Sequence, residues 1–369
     1  MGAVDQSLLR PKSLAMGEAL HDYIFQRVHQ DIQRKEWREI LVTGSLRRGP
    51  PAAKSLWETE RPGRAFNFQR PTATCLNDDT IELHCFPSQS FVEHYKTVLD
   101  FYLFLSGKSG CILRAIPPPP SEPLETFRRS NLPQLGPVDI VIVGEVHCLP
   151  GLPPGSWWKG RDIPEEDLFA WEKYPSPTGK TITLLGCKEG LWGEAAGAII
   201  HALKQMSDVQ CALYVGKVGA LTGEYAPNEW IATGSEVLLR PEDRPILWKN
   251  PLEDVIRGYK GVVASGELLT VASPLCETKE WLQQRKEWLQ QRSESATWVD
   301  CDTGHMAAAA KDVSVQFGYL HIVSDNLAAK YKGDLSNEDC VDVTASRSGQ
   351  YRKIENIISD FASSWDTAR

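Results

Sequence analysis

Residues 299–328 read VDCDTGHMAAAAKDVSVQFGYLHIVSDNLA, and the parsing of this stretch decides the fold. Its first half, 303–316, is made of helix formers and carries four consecutive alanines at 307–310. Its second half, 318–323, alternates aromatic and β-branched residues as a buried strand does. Asp302 stands just before the helix and Asp325 just after the strand. Open α/β folds place ligand-contacting groups at such helix entries and strand exits, because side chains there reach beyond the backbone ends. Asp302 also suits a plainer role, as an N-cap that satisfies free amides of the first helical turn.

Working outward, VDIVIVG at 138–144 and TITLL at 181–185 are apolar β-branched runs, the texture of central strands in a mostly parallel sheet. The second leads into GCKEGLWGEAAGAIIHAL, a glycine-rich turn followed by a helix, and CALYV at 211–215 leads into GKVGALTG. Short strands are expected at 229–233 and 236–239. Strands alternating with helices over this span mean an α/β fold, a sheet covered on both faces. The heptad KEWLQQR occurs twice in 279–292, giving an amphipathic helix with Trp281, Leu282, Trp288 and Leu289 on one face. Residues 351–365 read as a closing amphipathic helix.

The first third has a different character. Residues 14–37 carry Leu20, Tyr23, Ile24, Val28 and Ile32 at helical spacing, which predicts one long amphipathic helix. Residues 45–70 hold six basic residues, Arg47, Arg48, Lys54, Arg61, Arg64 and Arg70, against two acids, a net of +4, with Trp57, Phe66 and Phe68 interleaved. Such a stretch suits a phosphate backbone or a solvated loop. In LNDDTIELHCF, 76–86, Asp78, Asp79 and Glu82 fall within five positions. If helical, Asp78 and Glu82 share a face. If extended, Ile81, Leu83 and Cys85 point inward while Glu82 and His84 point out. A helix is expected over 91–105, and the proline-rich 117–137 is expected as a linker or wrapped surface strand. The organisation is then an extension at 1–116, the linker at 117–137 and an α/β domain at 138–369.

Composition sets outer limits. At 369 residues with 42% hydrophobic and 24% charged residues, a packed core is expected rather than disorder. No apolar run reaches the ~20 residues of a membrane span, and the first residues hold no apolar block for a secretory signal, so a cytoplasmic location with no membrane partner is expected. Nine cysteines, an odd number without a CxxC pair, point to reduced thiols and to no zinc site. A net charge of −8 gives no global steering to nucleic acid.

VDIVIVG, TITLLGCKEGLWGEAAGAIIHAL, CALYVGKVGALTGEYAPNEWIATGS and VDCDTGHMAAAA…VSDNLA, in that order, resemble the nucleoside phosphorylase and nucleosidase superfamily over residues 136–369. The resemblance implies a mixed, mostly parallel sheet flanked by helices, with a helical N-terminal extension. It also implies that the amides around Gly216, Lys217 and Gly219 approach a ligand. Asp302, after Cys301, takes the position of the family's ribose-binding glutamate, one methylene shorter. Asp325 takes the position of the aspartate that protonates or hydrogen-bonds the purine. His305 lies beside the ribose position, as a catalytic or a helix-capping side chain. The family's phosphate-binding arginine and glycine positions are not evident, and Glu189 in the turn opposes a phosphate.

A leader carrying Asp78-Asp79-Thr80-Ile81-Glu82 ahead of such a body resembles the fungal arginine-containing cyclodipeptide synthases, marked by a DDxxE motif. That resemblance implies an aminoacyltransferase of secondary metabolism that forms cyclo(Arg-Xaa) diketopiperazines without a cofactor or metal. Arginyl-tRNA and a second aminoacyl-tRNA would be its partners, with homo-oligomers left open. The chemistry is coherent: aminoacyl-tRNA ends in adenosine, its ester is already activated, and crowded acids supply a base of raised pKa. Asp78, Asp79 and Glu82 are the expected catalytic groups, and Arg47, Arg48, Arg61, Arg64 and Arg70 the expected tRNA-backbone contacts. The alternatives are a nucleoside phosphorylase or nucleosidase and a non-catalytic nucleoside- or tRNA-binding protein. A metal-binding, terpene-synthase-like use of the acids needs an all-helical chain and a second motif, neither of which is present.

Overall fold

Two sheets share one core. The computed structural model describes residues 20–47, 66–67, 70–108, 110–155, 158, 164, 166–239, 244–291, 296–331 and 341–365. The chain opens with two short helices, α1 (Leu20–Phe25) and α2 (Gln30–Arg34), where the periodicity predicts one. The break has a local cause. His29 is extended and its ring accepts from the Asp31 amide at 3.2 Å, while the Gln33 side chain donates to the Phe25 and Val28 carbonyls, both at 2.9 Å. Carbonyls left open by the interruption thus regain partners.

Strands β1 (Glu39–Thr43), β2 (Thr72–Cys75) and β3 (Thr80–His84), helix α3 (Gln89–Leu105) and β4 (Ile112–Ile116) follow. They form a four-stranded sheet in the order β2-β3-β1-β4, with β1 parallel to β3 and β4. The acidic segment is therefore extended: Ile81, Leu83 and Cys85 are buried, as the alternation requires. His84 is buried as well, held between Ser45 Oγ at 3.0 Å and Thr74 Oγ1 at 2.8 Å. Burial lowers its pKa despite the opposing pull of Glu82. The proline-rich segment is not a surface strand. It holds helix α4 (Glu122–Arg129) and a 3-10 turn at Leu132–Leu135, with prolines in the first turn of each.

The second sheet is built from β5 (Ile140–Gly144), β6 (Phe169–Pro175), β7 (Thr181–Cys187), helix α5 (Glu194–Ser207), β8 (Cys211–Ala220), β9 (Ile231–Thr233), β10 (Glu236–Leu238), β11 (Ile246–Leu247), helix α6 (Glu253–Ile256), β12 (Val263–Ser265), β13 (Glu267–Thr270), helix α7 (Lys279–Gln291), β14 (Ala296–Asp300), helix α8 (Thr303–Asp312), β15 (Gln316–Asn326) and the closing helix α9 (Val341–Ser364). It is the mixed, mostly parallel, helix-flanked sheet expected for an α/β fold. Alternate residues of β5 serve opposite faces. Val141 and Val143 join the core beneath α5 and α8, and Ile140 and Ile142 the core beneath α9. The first of these cores also contains Leu20, Ile40, Leu83, Phe91 and Leu99, so the small sheet and the large one bury a common interior. Trp281 and Leu282 of α7 pack on a third cluster with Leu238 and Val299; the Trp288 and Leu289 side chains lie outside the described residues.

Strand β8 organises the site. Its first half pairs with β5 on one edge, Gly144 opposite Val215. On that same edge its last residues pair with β14, antiparallel, Val299 opposite Gly219 and Trp298 opposite Ala220. Along its other edge β15 runs parallel for the full length. From this register, β5 and β14 approach β8 from opposite directions and end head to head across residues 216–218. The sheet forks there, and the residues that follow β5 and β14 emerge into one gap.

Candidate nucleoside site at the strand fork

Asp300, Asp302, Tyr214, Glu145 and Lys217 meet at this gap. Asp300 closes β14. Its Oδ2 accepts from the Thr303 amide at 2.9 Å and its Oδ1 from Thr270 Oγ1 at 2.8 Å. The N-capping role considered for Asp302 thus belongs to Asp300, and Asp302 makes no side-chain cap bond. The Asp302 carboxylate turns into the gap instead. Oδ1 accepts from the Gly193 amide at 3.1 Å and Oδ2 from the Tyr214 hydroxyl at 3.2 Å. Gly193 is the residue before α5 and has φ +57°, a conformation that favours glycine. Burial, then the neighbouring Asp300 charge, push the Asp302 carboxyl up to about 8. Burial also raises Asp300, against its hydrogen bonds to Thr303 and Thr270. Tyr214 is held well above the usual phenol range, by burial first and then by Asp302.

Within electrostatic reach of Tyr214 lies Glu145, immediately after β5 and 8% exposed. Its amide donates to Val215 O at 2.8 Å, and its Oε1 stands 3.9 Å from Lys217 Nζ. Gly144 permits this junction: with φ +98°, a Cβ there would meet Val215 O at 2.1 Å and the Tyr214 ring at 2.8 Å. Gly216 and Gly219 are close-packed too, though less tightly than Gly144. A Cβ on Gly216 would meet the His321 and Tyr214 rings at 3.2 Å, and one on Gly219 would lie 3.3 Å from Asp325 Oδ2. His321 is buried and its pKa is lowered to about 3 by burial, so a neutral ring bonds Thr303 Oγ1 at 2.8 Å.

Asp325, near the end of β15, is half-buried and accepts from Ser324 Oγ at 2.7 Å. Glu277 is buried within its electrostatic reach; burial first, and then Asp325 and Asp300, raise the Glu277 carboxyl well above the usual range. Gly216, Lys217, Gly219, Asp302 and Asp325 are therefore gathered along β8 and its neighbours. His305, half-buried in the first turn of α8, has its backbone against α5, where its carbonyl oxygen would lie 2.9 Å from a Cβ on Gly197. Sequence reasoning misses Gly193, Tyr214, Glu145 and Glu277, which come from four separate stretches of chain.

The acidic motif is elsewhere. Asp78 and Asp79 are exposed in the turn between β2 and β3, where their backbone carbonyls accept from the Lys35 ammonium and from the Arg38 and Glu39 amides. Glu82 lies on a sheet face beside His84, Oε1 3.9 Å from Nδ1. The opposite end of β3 leads to Ser88, which donates to the Trp192 carbonyl, and to Ser90, which bonds Glu194. Five strand residues, roughly 16 Å at about 3.3 Å each, separate the acidic turn from the end that leads toward Gly193. Arg47 and Arg70 flank this sheet, and Arg48, Arg61 and Arg64 lie outside the described residues. A cavity of about 390 Å³, lined by Trp37, Lys35, Arg38 and Lys108 among others, belongs to the small unit and not to the strand fork.

Neither a protein-family model nor a curated protein matches the sequence. Among solved structures, the chain is similar to a 5'-methylthioadenosine/S-adenosyl homocysteine nucleosidase from Campylobacter jejuni, at 12% identity and a TM-score of 0.45 over 62% of this chain and 100% of that one. It is similar to an S-adenosylhomocysteine nucleosidase from Streptococcus pyogenes, at 12% identity and a TM-score of 0.43 over 63% and 98%. A futalosine hydrolase of Helicobacter pylori gives 14% and 0.42 over 61% and 97%. At these values the likeness by itself fixes no activity. The expected cyclodipeptide synthase and its transferase chemistry are nevertheless corrected. Two of the three acids on which that reading rests stand in an exposed turn remote from the fork. Among the described residues, no helix is long and apolar enough to cross a membrane.

Proposed function

We propose that the strand fork binds a purine nucleoside and that the chain hydrolyses its N-glycosidic bond. The observation that carries this reading is the setting of Asp302. One oxygen is fixed by Gly193 and the other by Tyr214. A carboxylate has about four acceptor sites, so each oxygen keeps one for a further donor. A pair of adjacent hydroxyls, as on ribose, fills both at once. Asp325, near the end of the neighbouring strand, is offered to the base.

As the glycosidic bond breaks, its electron pair leaves with the purine and positive charge gathers on the sugar. The purine takes a proton from Asp325, water adds its oxygen to the anomeric carbon, and the proton that water sheds restores the acid. Buried Asp300 and Glu145 and half-buried Asp302 favour the cationic sugar to the extent that they are ionised, which for Asp302 grows as pH approaches about 8. The same acids, with Glu189 buried nearby in sequence, disfavour a phosphate dianion, so water is the acceptor in this reading. Lys217 stands close to Glu145 and is partly neutralised by it.

The test is release of free base from a panel of purine nucleosides, 5'-methylthioadenosine included, with and without inorganic phosphate. Phosphate-independent release supports hydrolysis. Release only with phosphate overturns that step, and no release with no binding overturns the reading.

A further inference from the structure

Directly after β5, the 3-10 turn Val146–Cys148 brings three different donors to one point. Glu145 Oε2 lies 3.5 Å from His147 Nε2 and 3.8 Å from Cys148 Sγ, and the three donor atoms all fall within 4.8 Å of one another. We propose that Glu145, His147 and Cys148 form a three-ligand site for a zinc-class divalent cation in the wall of the strand fork. This goes beyond the nucleoside reading and does not depend on it.

The spacing is what such an ion requires. With bonds of about 2.1 Å to nitrogen and oxygen and about 2.3 Å to sulfur, tetrahedral ligands stand about 3.4 Å apart for N and O and about 3.6 Å for S and O. The two separations to Glu145 exceed these by only 0.1–0.2 Å, roughly, and the imidazole and thiol, within 4.8 Å of each other, have to draw together for closure. Imidazole, thiolate and carboxylate together select zinc-like ions over magnesium or calcium, which want oxygen alone. Glu145 divides its two oxygens: Oε1 faces Lys217 and Oε2 faces the imidazole and thiol. Binding makes Cys148 a thiolate and releases one proton to solvent, so a dication with carboxylate and thiolate leaves the site neutral.

The surroundings hold the ligands in place. Phe66 is fully buried and stands edge-on to the His147 ring, centroids 5.8 Å apart. Room for Phe66 comes from Gly186 on β7, where a Cβ would lie 2.2 Å from the phenyl ring. The Glu145 and His147 side chains are almost enclosed, whereas Cys148 is half-buried and gives the cluster its opening to solvent. Sequence spacing alone hides the site because Glu-x-His-Cys lacks the CxxC signature of structural zinc.

Full-length protein is loaded with Zn²⁺, dialysed against a weak chelator and analysed for metal per chain; a second sample is loaded with Co²⁺. The expected result is close to one zinc per chain, falling at least tenfold in both His147→Ala and Cys148→Ser. A thiolate-to-cobalt charge-transfer band is expected that Cys148→Ser removes while far-UV circular dichroism is unchanged. Should His147→Ala not fold, His147→Gln serves in its place. No retained metal overturns the proposal. So does retention that neither substitution lowers, or a cobalt spectrum without a thiolate band.

Discussion

Tyr214 and Asp302 lie 88 residues apart in sequence and meet at 3.2 Å, phenol donating to carboxylate, at the point where β5 and β14 end head to head on β8. That bond leaves Asp302 half satisfied and aimed into the gap. Replacing Asp302 with Asn keeps the shape and removes the charge. Hydrogen bonds to a charged group contribute about 1.5–3 kcal/mol each, so above about pH 8, where Asp302 is ionised, nucleoside affinity should fall by roughly 10- to 100-fold, read by calorimetry. Unchanged affinity would displace the ribose site from Asp302.

The raised carboxyl of Asp302 has two pH signatures of opposite sense. Ligand hydroxyls need the ionised form, so affinity should rise as pH climbs toward about 8 and level off above it. Stability should run the other way. The folded state holds this proton from 3.8, the ordinary value, up to about 8, while the unfolded chain releases it, so the contribution present in acid is lost across that window as pH rises. Asp302→Asn should flatten both trends. A binding curve that falls as pH rises through the window would contradict the assignment.

Gly144→Ala tests the fork itself. Positive φ costs about 1–3 kcal/mol and overpacking against the Val215 carbonyl a similar amount, so a loss of about 3 kcal/mol or more is expected in urea unfolding. Gly155 offers the control, having φ +81° but open space around its Cβ position, so its alanine variant should show the smaller, conformational part alone. Equal losses at the two positions would mean that the Gly144 contact is unimportant.

Asp78→Ala and Asp79→Ala should change stability by no more than about 0.5 kcal/mol and leave nucleoside turnover intact, since both residues are exposed at the far end of β3. A large loss of base release in either variant would return the acidic turn to the site.

Residues 138–369 expressed alone should not unfold cooperatively, because α5, β7 and Trp298 share an interior with Leu83, Phe91 and Leu99. Dye binding to exposed apolar surface would accompany that loss. A sharp melting transition close to that of the whole chain would show an independent domain.

Much of the architecture is legible along the chain because its strands are apolar on both faces and its turns are marked by glycine. The helix after Asp302 starts where the sequence puts it but ends at Asp312, and the strand expected at 318–323 runs from Gln316 to Asn326 and takes in Asp325. Local pattern is blind to partners distant in sequence. Asp300 and Asp302 are two residues apart and equally acidic, yet Thr270 and Thr303 claim the first and Gly193 and Tyr214 the second. No spacing rule separates those fates. The DDxxE acids show the converse limit: proximity in sequence does not tell an exposed turn from a pocket. The long predicted helix fails for a third reason, since Gln33 and His29 supply side-chain bonds that make a break inexpensive.

The contact of α3 with the segment ahead of α5 ties distant parts of the molecule together. Ser88 and Ser90 hold Trp192 and Glu194 on either side of Gly193, His94 stacks on Trp192 at 4.3 Å and bonds Ser273, and Trp192 bonds Ala272. The amide that orients Asp302 is thus clamped by the first hundred residues. A molecule seated on that aspartate would slow amide exchange in β1 and β3, and loosening of the leading sheet would be felt as weakened grip on the sugar.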